Sequence, residues 1–392
     1  MQTKSQSYLT TLTPLRGITA LLVVIYHSNL MFLPFLPPGY THFLDNGWLW
    51  VDFFFVLSGF IMCYAYSKYF INGITKDAYK KYLGARFARI YPLHFITTIW
   101  AFVCIVCIVH FSTHLDPFFA EIFNPKALPD CLLLIQSLHL YFTPPLNTPS
   151  WSLSTEWWVY MLFPLFVPYF TRLKNPGKLL TAIMIIAFYI VLRYVFGPST
   201  YFKPGPTLNI MTDFGLLRCL AGFFTGMLLF TFYQQGTGYK IIKQDWFFIL
   251  SVLGLVAAMH FNIMDIIIVG FFPFILIAAA YNQTRVKSIL DTKVLQRLGD
   301  WSFSIYMVHV PIIFSFTAFS VYKKPSLFSS FANLISGKPN YTFGIIMCLV
   351  LLTLTIVIAA MIYRFAEIPA RNYFNKVFKT KHKEIKPETL EV

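Results

Sequence analysis

Residues 14–33 read PLRGITALLVVIYHSNLMFL, with an arginine near the start, a histidine near the end and an apolar run between them. A helix needs about 20 predominantly apolar residues to cross the hydrocarbon layer of a bilayer, and this run has that length. No cleavable signal peptide is evident, so the run is read as an uncleaved first membrane helix. Working outward, the same pattern recurs at 48–66, 92–111, 152–170, 179–196, 212–233, 246–261, 265–281, 300–320 and 342–363, giving ten expected spans. A shorter apolar segment near 129–142, flanked by prolines, is too brief to cross and is expected to be re-entrant or interfacial. The expected fold class is an all-α polytopic membrane protein.

Composition agrees with that reading. Of 392 residues, 57% are hydrophobic, 19% aromatic and only 12% charged, against about 25% charged in soluble chains. Too little polar surface remains for a soluble multidomain enzyme, a disordered chain or a disulfide-stapled module. The net charge of +15 would suggest nucleic acid in a soluble protein, but here the basic residues sit in short loops, where they orient the chain. With a cytoplasmic N-terminus, 24 Lys and Arg fall on the inner side and six on the outer, span ends included, and Arg218 alone lies deep within a span. Counting 129–142 as an eleventh span would destroy that asymmetry, so both termini are expected in the cytoplasm. Residues 1–370 are read as one membrane domain. The stretch from 364 onward is basic and reads as a solvated tail, bounded as 371–392. Membrane lipids are the expected surroundings and nucleic acid is not an expected partner. The cysteines Cys63, Cys104, Cys107, Cys131, Cys219 and Cys348 lie mostly in apolar runs and read as packing residues, with no metal expected.

Ionisable groups inside spans are costly, and each is a functional candidate. They are His27, Asp52, Glu156, Arg218 and His309. Arg16 and His27 are 11 residues apart, about three turns plus 20°, so they share one helix face with a rise of about 16 Å. A cation at the inner mouth and an imidazole deep in the bilayer fit an anionic head held below and an arm reaching upward. Arg86 and Arg89, at i and i+3, present two guanidiniums on one face, suited to a bidentate grip on phosphate. In SWSLSTEWWVY (150–160), Glu156 sits one turn into the span among three tryptophans and is expected to orient His27 or His309. Trp151, Ser152, Tyr160, His309 and Asp52 are the candidates for the acceptor side. Pro311 is expected to free a backbone carbonyl that neighbours must satisfy, and Ser58-Gly59 to admit close approach of a helix or ligand.

These residues resemble the membrane-bound acyltransferase-3 family of bacterial O-acetyltransferases. The resemblance rests on Arg16-x10-His27, VDFFFVLSGF (51–60), Arg86-x-x-Arg89-Ile-Tyr-Pro, SWSLSTEWWVY and WSFSIYMVHVP (301–311). It implies ten helices and acetyl-CoA bound from the cytoplasm as acyl donor. It also implies acetyl transfer to a sugar hydroxyl of a cell-envelope glycan, such as lipopolysaccharide O-antigen, from the bacterial inner membrane. It points to His27 as the essential histidine, with Arg16, Arg86 and Arg89 near the donor. Longer relatives append an SGNH-hydrolase-like domain that is not found in this sequence, so transfer is expected from the membrane domain itself or with a separate glycan-synthesis partner. Whether it forms a homo-oligomer is open on the sequence. The competing class is a proton-coupled transporter or flippase of an envelope precursor, with His27, Glu156 and His309 as a relay. Against it, no repeat relates the two halves and the arginines cluster at one mouth.

Overall fold

The computed structural model describes residues 9–31, 35–37, 39–112, 117–197, 205–323 and 341–378. Among these residues the chain is helical, without strands. Its ten long helices follow the ten apolar runs: α1 Leu12–Met31, α2 Trp50–Phe70, α3 Lys76–Phe111, α4 Ser150–Thr171, α5 Asn175–Val191, α6 Gly215–Gln235, α7 Asp245–His260, α8 Asp265–Tyr281, α9 Ser302–Lys323 and α10 Tyr341–Ile362. Among the described residues, six helices are long and apolar enough to cross a membrane by length and composition. They contain α2, α3, α5, α6, α9 and α10, while α7 and α8 are apolar but shorter. Helices α1 and α4 have spanning length but are not among the six; α1 carries Arg16 and His27, and α4 the polar stretch Ser152–Glu156.

Side-chain bonds sort the helix ends into two groups. At one end Thr11 Oγ1 donates to the Ala279 carbonyl at 2.7 Å, Arg172 to the Ile71 carbonyl at 3.3 Å and Tyr281 to the Phe232 carbonyl at 3.1 Å. At the other, Asn46 donates to the Met259 carbonyl at 3.1 Å, and Arg193 pairs with Asp265. The early helices thus run up and down in alternation. The outer faces of α5, α7 and α10 carry exposed Leu180, Ile183, Leu253 and Leu349, an apolar surface suited to lipid rather than water.

Close packing depends on small residues. A Cβ on Gly59 would lie 2.0 Å from the Phe223 carbonyl oxygen, and one on Gly226 only 1.9 Å from that of Val56. Helices α2 and α6 therefore touch backbone to backbone, the approach expected at Ser58-Gly59. Proline provides the second device. Pro311 offers no N–H to the Met307 carbonyl, which instead accepts from Asn147 Nδ2 at 3.0 Å. Pro164 does the same to the Tyr160 carbonyl, and Tyr82 donates to it at 2.8 Å.

Residues 129–142 do not form a crossing helix. They comprise the end of a short helix, Leu128–Leu132, followed by turns. The Leu134 carbonyl accepts from Ser154 Oγ at 2.6 Å and Trp158 Nε1 at 2.9 Å, while Ser137 donates to Ser154 at 2.6 Å. Irregular backbone is held here by buried hydroxyls of α4, a tolerated arrangement where protein rather than lipid surrounds it.

Two boundaries differ from the sequence expectation. Helix α3 begins at Lys76 rather than near 92, because Thr75 caps it by accepting from Ala78 N at 3.3 Å. The stretch from Arg364 does not begin as a solvated tail. A π-helical turn, Tyr363–Glu367, joins α10 to a helix at Ile368–Phe378. That helix lies on α3, with Phe374 and Phe378 rings 5.4 and 6.0 Å from Phe87. The expected boundary at 370/371 falls within this helix, and residues 379–392 lie outside the described ones.

Candidate active site

Helix α9 is packed against α1, α3 and α10, and every side chain from Ser304 to Phe314 is buried. Between α1, α2, α3, α4 and α9 lies a cavity of about 160 Å³. Its wall brings together Arg16, Arg86, Arg89, Ser152, Glu156 and Tyr160, six of the residues singled out in the sequence, with Ser58 and Tyr306 beside them.

The guanidiniums are unequally satisfied. Arg86 donates to Tyr66 Oη at 2.8 Å and lies over the Tyr66 ring, 5.0 Å from its centroid. Its Nε is buried with no hydrogen-bond partner among the described residues. Arg89 pairs with Glu367 at 3.5 Å, and the other Glu367 oxygen accepts from Ser304 Oγ at 2.6 Å. Arg16 has no hydrogen-bond or ion-pair partner among the described residues. Three guanidiniums share one wall, and the nearby carboxylates are Glu156 and Glu367. A planar, delocalised cation in a low-dielectric cavity favours a carboxylate or phosphate ligand over water. The wall therefore suits an anion.

Glu156 does not orient a histidine. It accepts from Ser58 Oγ and from Tyr160 Oη, the latter at 2.6 Å, and neither His27 nor His309 is bonded to it among the described residues. Glu156 lies one turn, about 6 Å, along α4 from Ser152. It is Ser152 that meets α9, its Oγ 2.7 Å from Tyr306 Oη. Tyr306 also donates to the Pro149 carbonyl at 3.1 Å.

The two imidazoles face each other instead. His309 Nε2 lies 3.3 Å from His27 Nδ1, with ring centroids 4.9 Å apart. His27 Nδ1 is also 3.0 Å from the Val23 carbonyl, one turn earlier in α1. Neither ring is in the cavity wall. Tyr306, whose ring is 5.9 Å from that of His309, joins the pair to the cavity.

Asp52 and Trp151 are elsewhere than expected. Asp52, placed on the acceptor side from sequence, is fully buried and takes Arg218 in a two-pronged pair, Nε to Oδ1 at 3.0 Å and Nη2 to Oδ2 at 2.6 Å. Arg218 further donates to the Ile210 and Trp48 carbonyls and lies over the Trp48 and Trp151 rings. The unassigned arginine, Asp52 and Trp151 form one structural clamp, because an intramembrane guanidinium needs both a carboxylate and acceptors for its remaining hydrogens. Ser58, expected with Gly59 to admit close approach, also donates to Glu156. Sequence reasoning missed two residues. Tyr306 lay inside a quoted motif, but a hydroxyl in a span carries little signal. Glu367 had one: it is the only acid between Asp300 and Glu384.

Residues 12–364 match the family model described as an acyltransferase domain, acyltransferase-3. The acyltransferase MdmB of Streptomyces mycarofaciens is 30% identical over 327 residues, covering 78% of this chain and 79% of that protein. The peptidoglycan O-acetyltransferase OatA of Listeria monocytogenes is 23% identical over 414 residues, 96% of this chain and 59% of its own. The O-acetyltransferase OatA of Staphylococcus aureus is 23% identical over 408 residues, 95% of this chain and 59% of its own. The chain thus spans about three fifths of the length of these two. No solved structure matches.

Proposed function

The chain belongs to the acyltransferase-3 family, and on that premise we propose that it moves an acetyl group from acetyl-CoA to a sugar hydroxyl of a cell-surface polysaccharide, such as lipopolysaccharide O-antigen, with His27 as general base. The protein is a multi-pass membrane O-acyltransferase. Its proposed location is the bacterial inner membrane, ten helices crossing with both termini inside, a placement supported by the 24-to-six bias of basic residues. One observation carries the donor reading. Arg16, unpartnered among the described residues, and Arg86, with a buried unpaired Nε, line the same cavity as Arg89.

In this reading the arginines hold the donor's phosphates at the cytoplasmic mouth, and the arm extends toward Ser152 and Tyr306. The acceptor hydroxyl arrives from the other side. His27 takes its proton as the oxygen attacks the thioester carbonyl. The C–O bond forms, the C–S bond breaks, and the proton passes from His27 to the departing thiolate. General-base assistance of this kind contributes about 10²–10⁴ in rate. The Ser152–Tyr306 hydroxyl pair, joined to His309 through the Tyr306 ring, supplies one donor for the developing oxyanion: one hydroxyl hydrogen holds the pair together and the other turns from the Pro149 carbonyl to the substrate. Glu156 holds Ser58 and Tyr160 on the arginine side. No step calls for a metal.

The test uses purified protein in sealed vesicles with labelled acetyl-CoA, together with mass spectrometry of envelope glycans from cells with and without the protein. The expected results are acetyl transfer that His27→Ala abolishes at normal abundance, and a raised KM for the donor in Arg86→Ala/Arg89→Ala. Flux of an envelope precursor without any acetyl transfer would establish the transporter reading instead.

A further inference from the structure

A base is effective only when its other nitrogen is held, and the carboxylate expected behind His27 is bonded elsewhere. What stands at His27 Nδ1 is the Val23 carbonyl at 3.0 Å and His309 Nε2 at 3.3 Å. A carbonyl can only accept, so the hydrogen of a neutral His27 belongs on Nδ1 and its lone pair on Nε2. Two N–H groups cannot face each other, so His309 must present a lone pair at Nε2 and carry its own hydrogen on Nδ1. Among the described residues that Nδ1 is buried without a well-formed hydrogen bond, and the Ile305 and Tyr306 carbonyls of its own helix are the acceptors that interact with the ring. His309 itself is fully buried on the proline-bearing helix α9, and Asn147 anchors that helix through the Met307 carbonyl.

We propose that His309 is the positioning residue for His27, a neutral imidazole doing from α9 what a carboxylate usually does. The inference rests on the reading of His27 as base. In the resting state one Nδ1–H is shared between two acceptors. When His27 takes the alcohol's proton on Nε2, its Nδ1–H becomes a stronger donor, and the imidazole nitrogen is a better acceptor for it than an amide carbonyl. The device stabilises the transient imidazolium without keeping a permanent anion in the membrane interior, where isolated charge is costly. It also fixes the ring so that Nε2 points away from both acceptors, leaving it as the nitrogen that meets substrate.

Full-length protein in proteoliposomes, assayed with acetyl-CoA, tests this through His309→Phe, His309→Gln and His27→Ala. Phenylalanine keeps a ring without an acceptor, whereas glutamine restores an oxygen near the place of Nε2. We expect His309→Phe to lower kcat about tenfold to a hundredfold, the scale met when the group behind a metal-bound histidine is lost. The KM for acetyl-CoA should stay within about twofold, and glutamine should recover most of kcat. If the phenylalanine variant does not accumulate, His309→Asn replaces it, its shorter amide falling short of His27. An unchanged kcat in the phenylalanine variant, or glutamine no better than phenylalanine or asparagine, overturns the inference. So does a kcat preserved with a raised KM for the acceptor, which would make His309 a substrate contact. Activity in His27→Ala overturns the underlying reading instead, whatever His309 does.

Discussion

Replacing Asp52 by asparagine separates a structural clamp from an acceptor site. Asp52 and Arg218 are 0% and 1% exposed, and two hydrogen bonds of 3.0 and 2.6 Å join them. The amide is neutral and nearly the same size as the carboxylate, so the loss is chiefly electrostatic, and Arg218 is left as a buried cation. Breaking a buried pair by removing one partner costs about 3–5 kcal/mol. Arg218 would retain the carbonyls of Trp48 and Ile210 and two tryptophan faces, which places the effect near the lower bound, about 3 kcal/mol. At about 1.4 kcal/mol per factor of ten, this is a change of roughly 150-fold in the folding equilibrium. Membrane abundance and the thermal midpoint of the detergent-solubilised protein should both fall, while acetyl transfer per folded molecule stays close to wild type. Asp52→Leu combined with Arg218→Met removes both charges and should recover most of the stability, because an apolar pair of similar volume replaces a buried ion pair at little cost. The reasoning is refuted if Asp52→Asn is as stable as wild type but no longer acetylates. Asp52 would then be the acceptor-side group that the sequence suggested.

Three further outcomes are expected. Gly226→Val drives a branched side chain into the Val56 carbonyl, 1.9 Å from where its Cβ would stand, and should cost at least the roughly 1–3 kcal/mol of overpacking; Gly270→Ala, whose Cβ meets nothing within 4 Å, should leave abundance unchanged. Asn147→Leu strips the donor from the Met307 carbonyl at a cost of about 1–3 kcal/mol, measured as a lowered thermal midpoint, and Pro311→Ala in the same chain should restore most of it by returning the missing N–H. Glu367→Gln removes the carboxylate beside Arg89, so calorimetric titration with coenzyme A should show tighter binding by several-fold; weaker binding would mean that Glu367 holds Arg89 in its gripping pose.

Much of the molecule was legible as a line of letters. Apolar runs of bilayer length located ten helices, since a spanning helix must satisfy its backbone internally and cover itself in hydrocarbon, and both demands are local. The same locality explains why Arg86 and Arg89 were assigned correctly to one face, and why Pro311 announced a carbonyl in need of a donor. The ends were less legible. Helix α3 begins 16 residues before the expected 92, because a threonine cap and tertiary contacts, rather than hydropathy, set its start. The amphipathic helix at Ile368–Phe378 was mistaken for part of a solvated tail, since its aromatic side chains find their partners only on α3.

Which polar residue meets which was decided by the fold alone. Periodicity gives the direction in which a side chain leaves its helix but not the height at which the neighbouring helix presents a partner. Asp52 and Arg218 are 166 positions apart, His27 and His309 are 282 apart, and no local rule links either pair. Glu156 reads from sequence as the partner of an imidazole, yet it is Ser152, one turn earlier in α4, that meets α9 at Tyr306, and the carboxylate accepts from Ser58. Composition and local periodicity specify a helical chain of membrane character and name the guanidiniums, carboxylates and imidazoles inside its apolar runs. Which charges are clamps and which line the cavity follows from the bundle, because helix register is fixed by glycine contacts and side-chain packing between residues far apart in the chain.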